Sequence, residues 1–260
     1  MRLSAYIKYV FTAKTRHSIH SPFVYSFMEE VIRNKTHFPV FDDIERFKKN
    51  LLTDATFLNL TDFGEVKSFN GEARYRKESV GSIIKKTAIN KKNGEFLYLL
   101  VRFMRPINII EVGTSLGIST LYLAKAANDV PIYTLEGCPE KTKAAKGFFD
   151  QMQLKNIRQY TGRFDDTLPQ VLNDMQEVGL AYVDGNHTYR ATKAYFEMLM
   201  DKVKNNSVLI FDDIHWSEGM QRAWNEIIMH PGVTVSMDLY RIGIVFFNKE
   251  LSKQHFVLRT

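Results

Sequence analysis

The sequence has little of what disulfide-stabilised or membrane-embedded proteins are built from. Cys138 is its only cysteine, so no internal disulfide can form and a reducing compartment is expected. No apolar stretch approaches the roughly 20 residues that a membrane span requires. Lys8, Lys14 and Arg16 interrupt the apolar positions near the start, which is unlike a secretory signal. We therefore predict a cytoplasmic protein with no membrane partner.

The two parts of the chain differ in charge. Residues 1–105 hold 19 Lys/Arg and 11 Asp/Glu, whereas residues 106–260 hold 16 and 18, within a net charge of +6. Such asymmetry can mark a nucleic-acid or membrane surface. Solvated helix faces are the commoner cause, and no recognised nucleic-acid motif accompanies the basic residues. A nucleic-acid partner is disfavoured but stays an open alternative.

Residues 1 to about 105 lack the alternation of strands and have helical spacing. We predict helices at about 41–52, 79–89 and 94–104, and another that begins at Pro22 with Ser21 as its cap. Residues 61–71, which contain two glycines, are predicted to form a loop. The boundaries that we predict are a helical N-terminal extension or cap over residues 1–94 and a binding domain over residues 95–260.

From Pro106 onward, apolar β-branched runs alternate with helical patterns. The predicted parallel strands lie at about 109–112, 131–136, 156–160, 180–183 and 207–211, each followed by a helix. Residues 233–239 and 242–247 are two strands around a short turn. The predicted fold class is α/β: a Rossmann-like, doubly wound and mostly parallel sheet with a C-terminal antiparallel β-hairpin and the N-terminal helical extension.

The stretch 108–127, NIIEVGTSLGISTLYLAKAA, is a strand that turns through Gly113 and Gly117 into a helix. Such a loop lets a ligand approach the backbone, and the helix start offers N–H groups. The alternative is a tight turn with no ligand. The spacing is not the G-x-G-x-x-G of a pyrophosphate site, and no Gly-Lys-Ser/Thr follows, so a dinucleotide and a P-loop phosphate are disfavoured.

In such sheets ligands bind at the carboxyl ends of the strands. All five predicted parallel strands end there in acidic residues, glycines or histidines, namely Glu111 and Gly113; Glu136; Gly162, Arg163 and Phe164; Asp184 and His187; and Asp212, Asp213 and His215. This shared pattern predicts one ligand site. Glu136 is placed to accept two hydrogen bonds from a ribose diol, which fits an adenosine ligand. Since the glycine spacing disfavours a pyrophosphate, an adenosine ligand without one fits best.

These segments resemble, in content and order, the class I S-adenosylmethionine-dependent methyltransferases. The matching residues are EVGTSLGIS from Glu111, Glu136, GRFD from Gly162, VDGNH from Val183 and FDDIHW from Phe211. The likeness is greatest to the O-methyltransferase branch that includes the catechol and caffeoyl-CoA enzymes, and it covers about residues 95–248. With His17–Phe23, the chain also looks like a bacterial group of methyltransferases of unassigned substrate.

The resemblance implies how the cofactor, S-adenosylmethionine, would be held. Its methionine part would lie against Glu111, Gly113, Thr114, Ser115, Gly117 and Ser119. Glu136 would bind the ribose hydroxyls, and Gly162, Arg163 and Phe164 would border the adenine. Asp184 would lie beneath the methionine amino group or bind a metal ion. On this basis residues 95–260 are predicted to be the methyltransferase domain.

The resemblance also implies a metal site and a base. Metal-dependent relatives hold a divalent cation with an Asp and an Asp-Asn pair, which Asp184, Asp212 and Asp213 match except for Asp in place of Asn. Three carboxylates suit Mg²⁺ or Ca²⁺. The lysine base of those relatives is absent, so His187 or His215 would take its role, unless both only form supporting hydrogen bonds. The predicted catalytic residues are Asp184, His187, Asp213 and His215.

The expected function is methyl transfer from S-adenosylmethionine to an oxygen of a small-molecule acceptor, with a divalent cation as an optional aid. One alternative is a nucleic-acid methyltransferase that uses the basic N-terminal part. Another is a protein that binds the cofactor without turnover. An NAD-dependent oxidoreductase is disfavoured by the glycine spacing. A homodimer is expected only because dimers are common among the relatives.

Overall fold

The computed structural model of the protein describes residues 9–15, 19–62 and 74–259. The fold is mixed α/β, with a main sheet of eight mostly parallel strands and a separate two-stranded sheet, which confirms the predicted fold class. The chain forms two compact units. The terminal unit comprises Met1–Asn34 and Val171–Thr260, and the central unit comprises Lys35–Gln170. The domain boundary that we predict near residue 94 stays a prediction.

Strand and helix alternate through most of the chain. The helices are α1 (Pro22–Phe27, followed by a π-helical turn at Met28–Ile32), α2 (Pro39–Leu52), α3 (Val80–Thr87), α4 (Lys91–Met104), α5 (Ile118–Ala126), α6 (Pro139–Gln151), α7 (Phe164–Asn173), α8 (Tyr189–Met200) and α9 (Glu218–Met229). The strands are β1 (Phe57–Asp62), β2 (Arg74–Ser79), β3 (Ile109–Val112), β4 (Ile132–Glu136), β5 (Ile157–Thr161), β6 (Val178–Val183), β7 (Val203–Phe211), β8 (Val235–Asp238), β9 (Gly243–Phe246) and β10 (Gln254–Val257). Within the described ranges, no helix is long and apolar enough to cross a membrane.

Side-chain caps fix where several helices begin. Ser21 caps α1 as predicted, since its Oγ accepts a hydrogen bond from the Val24 amide and Pro22 takes the first helical position. Thr188 caps α8 and Ser217 caps α9 in the same way. Both caps follow loops that carry candidate site residues, so they set the length of those loops. His17 lies outside the described residues.

The hairpin of β1 and β2 corrects the prediction that residues 1–105 contain no strand. The two strands pair in antiparallel register, with Phe57 opposite Ser79 and Leu60 opposite Arg76. Sequence periodicity does not reveal them because they are mostly exposed and polar: β2 reads RYRKES, and Leu60 is the buried apolar residue of β1. Alternation is visible only where one face of a strand is buried in apolar surroundings.

In the central unit, β3, β4 and β5 are neighbours and all parallel. The apolar character of β3 and β4 follows from burial on both faces, as in sheets covered by crossover helices; every residue of β3 is buried, whereas β5 at the edge of the sheet is partly exposed. Val112 lies opposite Leu135, and Glu136 lies opposite Thr161. This register brings the carboxyl ends of the three strands to one edge.

In the terminal unit the strand order is β10-β8-β9-β7-β6. β6 and β7 are parallel, with Val183 opposite Phe211, and β9 runs antiparallel to β7 with Gly243 opposite Phe211. The predicted hairpin is confirmed, since β8 and β9 pair in antiparallel register. β10, parallel to β8, was not predicted, because its sequence QHFV has only Phe256 buried and gives no alternation.

Gly94 allows α4 to pack closely against Tyr122 in the central unit, and a substitution there tests this contact. A Cβ at Gly94 would lie 2.3 Å from a ring carbon of Tyr122, and that ring is buried and anchored by a 3.0 Å hydrogen bond from its hydroxyl to Glu45. Because the ring cannot move aside freely, we expect Gly94→Ala to lower the free energy of unfolding by about 1–3 kcal/mol. Urea denaturation measures the change.

Gly147 in α6 supplies the matched control, since a Cβ there would have nothing within 4 Å. Gly147→Ala should raise the free energy of unfolding by about 0.5–1 kcal/mol, because alanine suits a helix interior better than glycine. If Gly94→Ala were as stable as the wild-type protein, the close packing of α4 on Tyr122 would be contradicted.

Candidate functional site

The loop between β3 and α5 in the central unit has a backbone that requires glycine. Gly113 and Gly117 have φ values of 109° and 81°, and Ser115 is also left-handed at 50°. At Gly117 a Cβ would in addition lie 2.4 Å from the Phe149 ring. The amides of Gly113 and Thr114 both donate to the Leu135 carbonyl at 3.0 Å. The loop is thereby tied to β4, and it leads into α5, whose first amides have no partner within the helix.

Glu111 is the buried centre of a hydroxyl network in the same unit. Its carboxylate accepts hydrogen bonds from Ser119 at 2.6 Å, Thr120 at 2.5 Å and Thr134 at 2.6 Å. Burial raises the pKa of Glu111, and these hydrogen bonds oppose the rise. Since Thr134 gives its proton to Glu111, the Thr114 hydroxyl donates to Thr134 at 2.5 Å. The network therefore fastens the glycine loop to α5 and β4.

Glu136 ends β4 with its carboxylate held by two backbone amides. Ser115 N donates to Oε2 at 2.8 Å and Cys138 N donates to Oε1 at 2.9 Å, while Lys141 Nζ lies 3.8 Å from Oε1. A carboxylate has about four lone-pair positions. The amides use two of them, so two acceptor positions remain, as many as the two hydroxyls of a ribose diol require.

The segment Gly162–Phe164, at the end of β5, lies next to this strand end. Gly162 has φ 144° and its amide donates to the Glu136 carbonyl at 3.0 Å. The Arg163 carbonyl accepts from the Asp166 and Thr167 amides at 3.0 and 2.9 Å, which begins α7 there. The central unit thus brings together the residues that we predict for the methionine, ribose and adenine parts of the cofactor, apart from Asp184.

Three carboxylates lie together in the terminal unit: Asp184 after β6, and Asp212 and Asp213 after β7, here called the carboxylate trio. They share one edge because the last residues of β6 and β7 are opposite each other. The Tyr182 hydroxyl donates to Asp184 Oδ2 at 3.0 Å. Burial and the neighbouring Asp212 charge raise the pKa of Asp184 well above its ordinary value, and the same causes raise the pKa of Asp213.

Arg241, in the turn between β8 and β9, is a residue of this group that the sequence analysis missed. Its Nε and Nη2 donate to Asp212 Oδ1 and Oδ2 at 3.1 and 3.0 Å, and Nε lies 3.3 Å from Asp213 Oδ1. The predicted hairpin could have indicated it. When β9 pairs with β7, Gly243 lies opposite Phe211, so the turn that precedes β9 lies beside the end of β7.

The two candidate histidines contact different carboxylates. His187 Nε2 lies 3.4 Å from Asp184 Oδ1, and 31% of the His187 side chain is exposed. His215 Nε2 lies 2.8 Å from Asp238 Oδ2, and only 13% of the His215 side chain is exposed. His215 Nδ1 is buried and has no hydrogen-bond partner in the described part of the chain. Asp238, which ends β8, was also missed by the sequence analysis.

The carboxylate trio does not fit a divalent cation as it is arranged. Both oxygens of Asp212 accept hydrogen bonds from Arg241, and the same guanidinium contacts Asp213. A hard cation needs these oxygens as ligands, and a fixed positive charge beside two of the three carboxylates competes with it. Over residues 9–15, 19–62 and 74–259, no group of three or more His, Cys, Asp or Glu side chains could hold a metal ion.

Parts of the sequence match known methyltransferases. Residues 110–214 match a family model described as a methyltransferase domain. A catechol O-methyltransferase of Niastella koreensis is 32% identical over 89 residues, which are 34% of this chain and 40% of that protein. An uncharacterized protein of Sinorhizobium fredii is 28% identical over 179 residues, 62% of this chain and 19% of that protein. The chain therefore spans less than half the length of these curated relatives.

Solved structures of methyltransferases have a similar fold. The methyltransferase PaMTH1 of Podospora anserina, bound to S-adenosylhomocysteine (SAH), has a TM-score of 0.59 at 13% identity. The aligned residues make up 88% of this chain and 97% of the PaMTH1 chain. An O-methyltransferase of Bacillus cereus in complex with SAH has a TM-score of 0.56 at 20% identity, with 86% and 97% covered. At these identities the likeness shows the fold.

Glu111 gives a pH-dependent test of the central unit. The pKa of Glu111 is raised in the folded protein, so its neutral form stabilises the fold. This contribution to the free energy of unfolding is fully present below the unfolded pKa of about 4.3 and is lost as the pH rises through the folded pKa. Glu111→Gln cannot ionise. From about pH 4 to pH 7 the wild-type protein should therefore lose stability relative to Glu111→Gln. We expect the difference in the free energy of unfolding to change in favour of Glu111→Gln by roughly 1.4 kcal/mol for each unit between the two pKa values.

Urea denaturation at several pH values measures this slope, whereas altered hydrogen bonds would add only a pH-independent offset. Glu140→Gln is the control, because Glu140 is exposed at the start of α6. A difference between Glu111→Gln and wild type that stays constant with pH would show that burial does not shift the titration of Glu111.

Proposed function

We propose that this chain is an O-methyltransferase of the class I S-adenosylmethionine-dependent kind and transfers a methyl group to an oxygen of a small-molecule acceptor; the match of residues 110–214 to a methyltransferase domain supports this. The observation that carries this proposal is how the Glu136 carboxylate is hydrogen-bonded. Two backbone amides hold its carboxylate at the end of β4 and leave two acceptor positions, and the glycine loop that supplies one amide is the one that we expect to border the cofactor.

We propose that the central unit binds S-adenosylmethionine. Glu136 would accept from both ribose hydroxyls, and Gly162, Arg163 and Phe164 would border the adenine. The loop of Gly113, Thr114, Ser115 and Gly117, with Ser119, would lie against the methionine part, where the start of α5 favours its carboxylate. Glu111 would act as a positioning residue, since its oxygens already bind Ser119, Thr120 and Thr134. The role of Asp184 beneath the methionine amino group stays a prediction.

The reaction requires a base for the acceptor. Bound S-adenosylmethionine would supply a methyl group on a sulfonium sulfur: the carbon–sulfur bond would break as the carbon–oxygen bond forms, SAH would leave with the electron pair, and the acceptor oxygen would lose its proton to the base. We propose His187 as the base, because its side chain is accessible and Asp184 lies close enough to stabilise the imidazolium. Asp213 would contribute negative charge beside it. His215 has one ring nitrogen bonded to Asp238 and the other buried, so we propose that it fixes the loop after β7.

Several finer features stay predictions. The acceptor is expected to be a small molecule, as for the catechol enzyme among the relatives. The proposed reaction uses no divalent cation, because Arg241 occupies both oxygens of Asp212 and contacts Asp213. The cytoplasmic location and the homodimer stay predictions, and the nucleic-acid methyltransferase and the cofactor-binding protein without turnover stay alternatives.

Calorimetric titration of SAH tests the cofactor assignment. We expect micromolar binding of SAH to the wild-type protein and none of NAD. Glu136→Gln should weaken SAH binding at least about tenfold, because a hydrogen bond to a charged group contributes roughly 1.5–3 kcal/mol. Glu140→Gln removes an exposed charge from the adjacent helix and should bind as wild type does. Absence of SAH binding, or equal affinity in Glu136→Gln at equal thermal stability, would contradict the proposal.

Turnover with catechol and related phenols as trial acceptors tests the base. We expect His187→Gln to lower kcat about 10²–10⁴-fold, to flatten the acidic limb of the pH–rate profile, and to change the affinity for SAH less than twofold. His215→Gln is the matched comparison: it should lower the unfolding temperature, since it breaks a partly buried 2.8 Å hydrogen bond, and should lower kcat less than tenfold. The reverse order of the two kcat losses would assign the base to His215.

A further inference from the structure

Asp212 requires a positive partner. Only 2% of its side chain is exposed, and two more carboxylates of the trio stand beside it. A buried, ionised carboxylate is costly unless it is paired and fully hydrogen-bonded. Like charges nearby add to that cost. The trio therefore needs a cation, either one bound from solution or one supplied by the chain.

The chain supplies one in Arg241. Its guanidinium pairs with Asp212 through two hydrogen bonds, Nε to Oδ1 at 3.1 Å and Nη2 to Oδ2 at 3.0 Å, and contacts Asp213 at 3.3 Å. Such a fork matches the geometry of a carboxylate, and arginine keeps its charge at all physiological pH values. One side chain thus neutralises the most buried member of the trio and reaches a second.

The backbone fixes the place of this guanidinium. The Arg241 carbonyl accepts a hydrogen bond from the Ile214 amide at 3.1 Å, which joins the turn between β8 and β9 to the loop after β7. The pairing of Phe211 with Gly243 sets the register on the same side. The charge is therefore built into the strand pairing of the terminal unit rather than recruited from solution.

We propose that Arg241 is the resident counter-charge of the carboxylate trio and stands in for a divalent cation, so that the protein needs no Mg²⁺ or Ca²⁺. Arg241 contacts Asp212 and Asp213. Asp184 contacts His187 and accepts from the Tyr182 hydroxyl, which also lies 3.5 Å from Asp212 Oδ2. Arg241 is a positioning residue in this arrangement. It holds the loop after β7 in place, and Asp184 remains available to contact His187. The inference concerns the fold of the terminal unit and does not depend on methyl transfer.

Thermal unfolding of the full chain tests the inference. The wild-type protein is melted in EDTA and then with millimolar MgCl₂, CaCl₂ or MnCl₂. We expect its unfolding temperature to be the same in all four conditions within about 1 °C, since a ligand that does not bind the folded state leaves stability unchanged. A saturable rise with one cation that disappears in Asp212→Asn would overturn the proposal.

Substitutions test the role of the guanidinium directly. Arg241→Met keeps the length of the side chain and removes its charge, so we expect the unfolding temperature to fall by about 5 °C or more. Asp212→Asn in the same background should recover part of the loss, because the uncompensated charge is then gone. Additive effects of the two substitutions would show that Arg241 does not compensate Asp212.

Two further variants keep the test decisive. Arg241→Lys retains the charge without the fork and should melt between wild type and Arg241→Met, which remains measurable if Arg241→Met fails to fold. Arg222→Met is the matched control, because Arg222 pairs with Glu226 on the surface of α9 with 69% of its side chain exposed. It should change the unfolding temperature by no more than about 1 °C. An equal loss in Arg222→Met and Arg241→Met would contradict a special role for Arg241.

Discussion

The register of neighbouring strands is the constraint on which both groups of candidate residues depend. In the central unit, Val112 opposite Leu135 lets the loop after β3 donate an amide to the carboxylate at the end of β4. In the terminal unit, Phe211 pairs with Val183 on one side and Gly243 on the other, which joins the carboxylates to the guanidinium. A slip of one residue would turn each strand's side chains to the opposite face, and both groups would be lost.

Four of the six non-glycine residues that have positive φ in the described part of the chain lie in loops after these strand ends. Ser115, Asn186, Asp213 and Tyr240 all have positive φ, and they follow β3, β6, β7 and β8. Non-glycine residues in that region are held there by the structure around them. The hydroxyl network of Glu111 supplies such support in one unit and the pairing of Arg241 in the other. Two of these four residues, Ser115 and Asp213, are among those to which we assign a function.

The sequence predicted those parts of the fold that depend on the pattern of neighbouring residues along the chain. Buried parallel strands are short apolar runs, and the helices between them carry caps and helical spacing, so β3 to β9 could be placed within a few residues. The exposed hairpin of β1 and β2 and the short β10 lack that pattern. Glu136 and the carboxylate trio were found because strand ends converge. Arg241 and Asp238 were missed because their importance depends on which distant strand the hairpin pairs with, and a single sequence does not encode that pairing in any local pattern.

The contact between Gly117 and Phe149 has a consequence for how the sequence can change over evolution. Gly117 is fixed twice, by a left-handed backbone and by a ring in the place of its missing Cβ. Exchanging Phe149 for a smaller residue would open the space but leave the backbone barrier, and a relaxed backbone would still meet the ring. No single compensating replacement frees the position. Sequence changes at the start of α5 must therefore leave Gly117 unchanged.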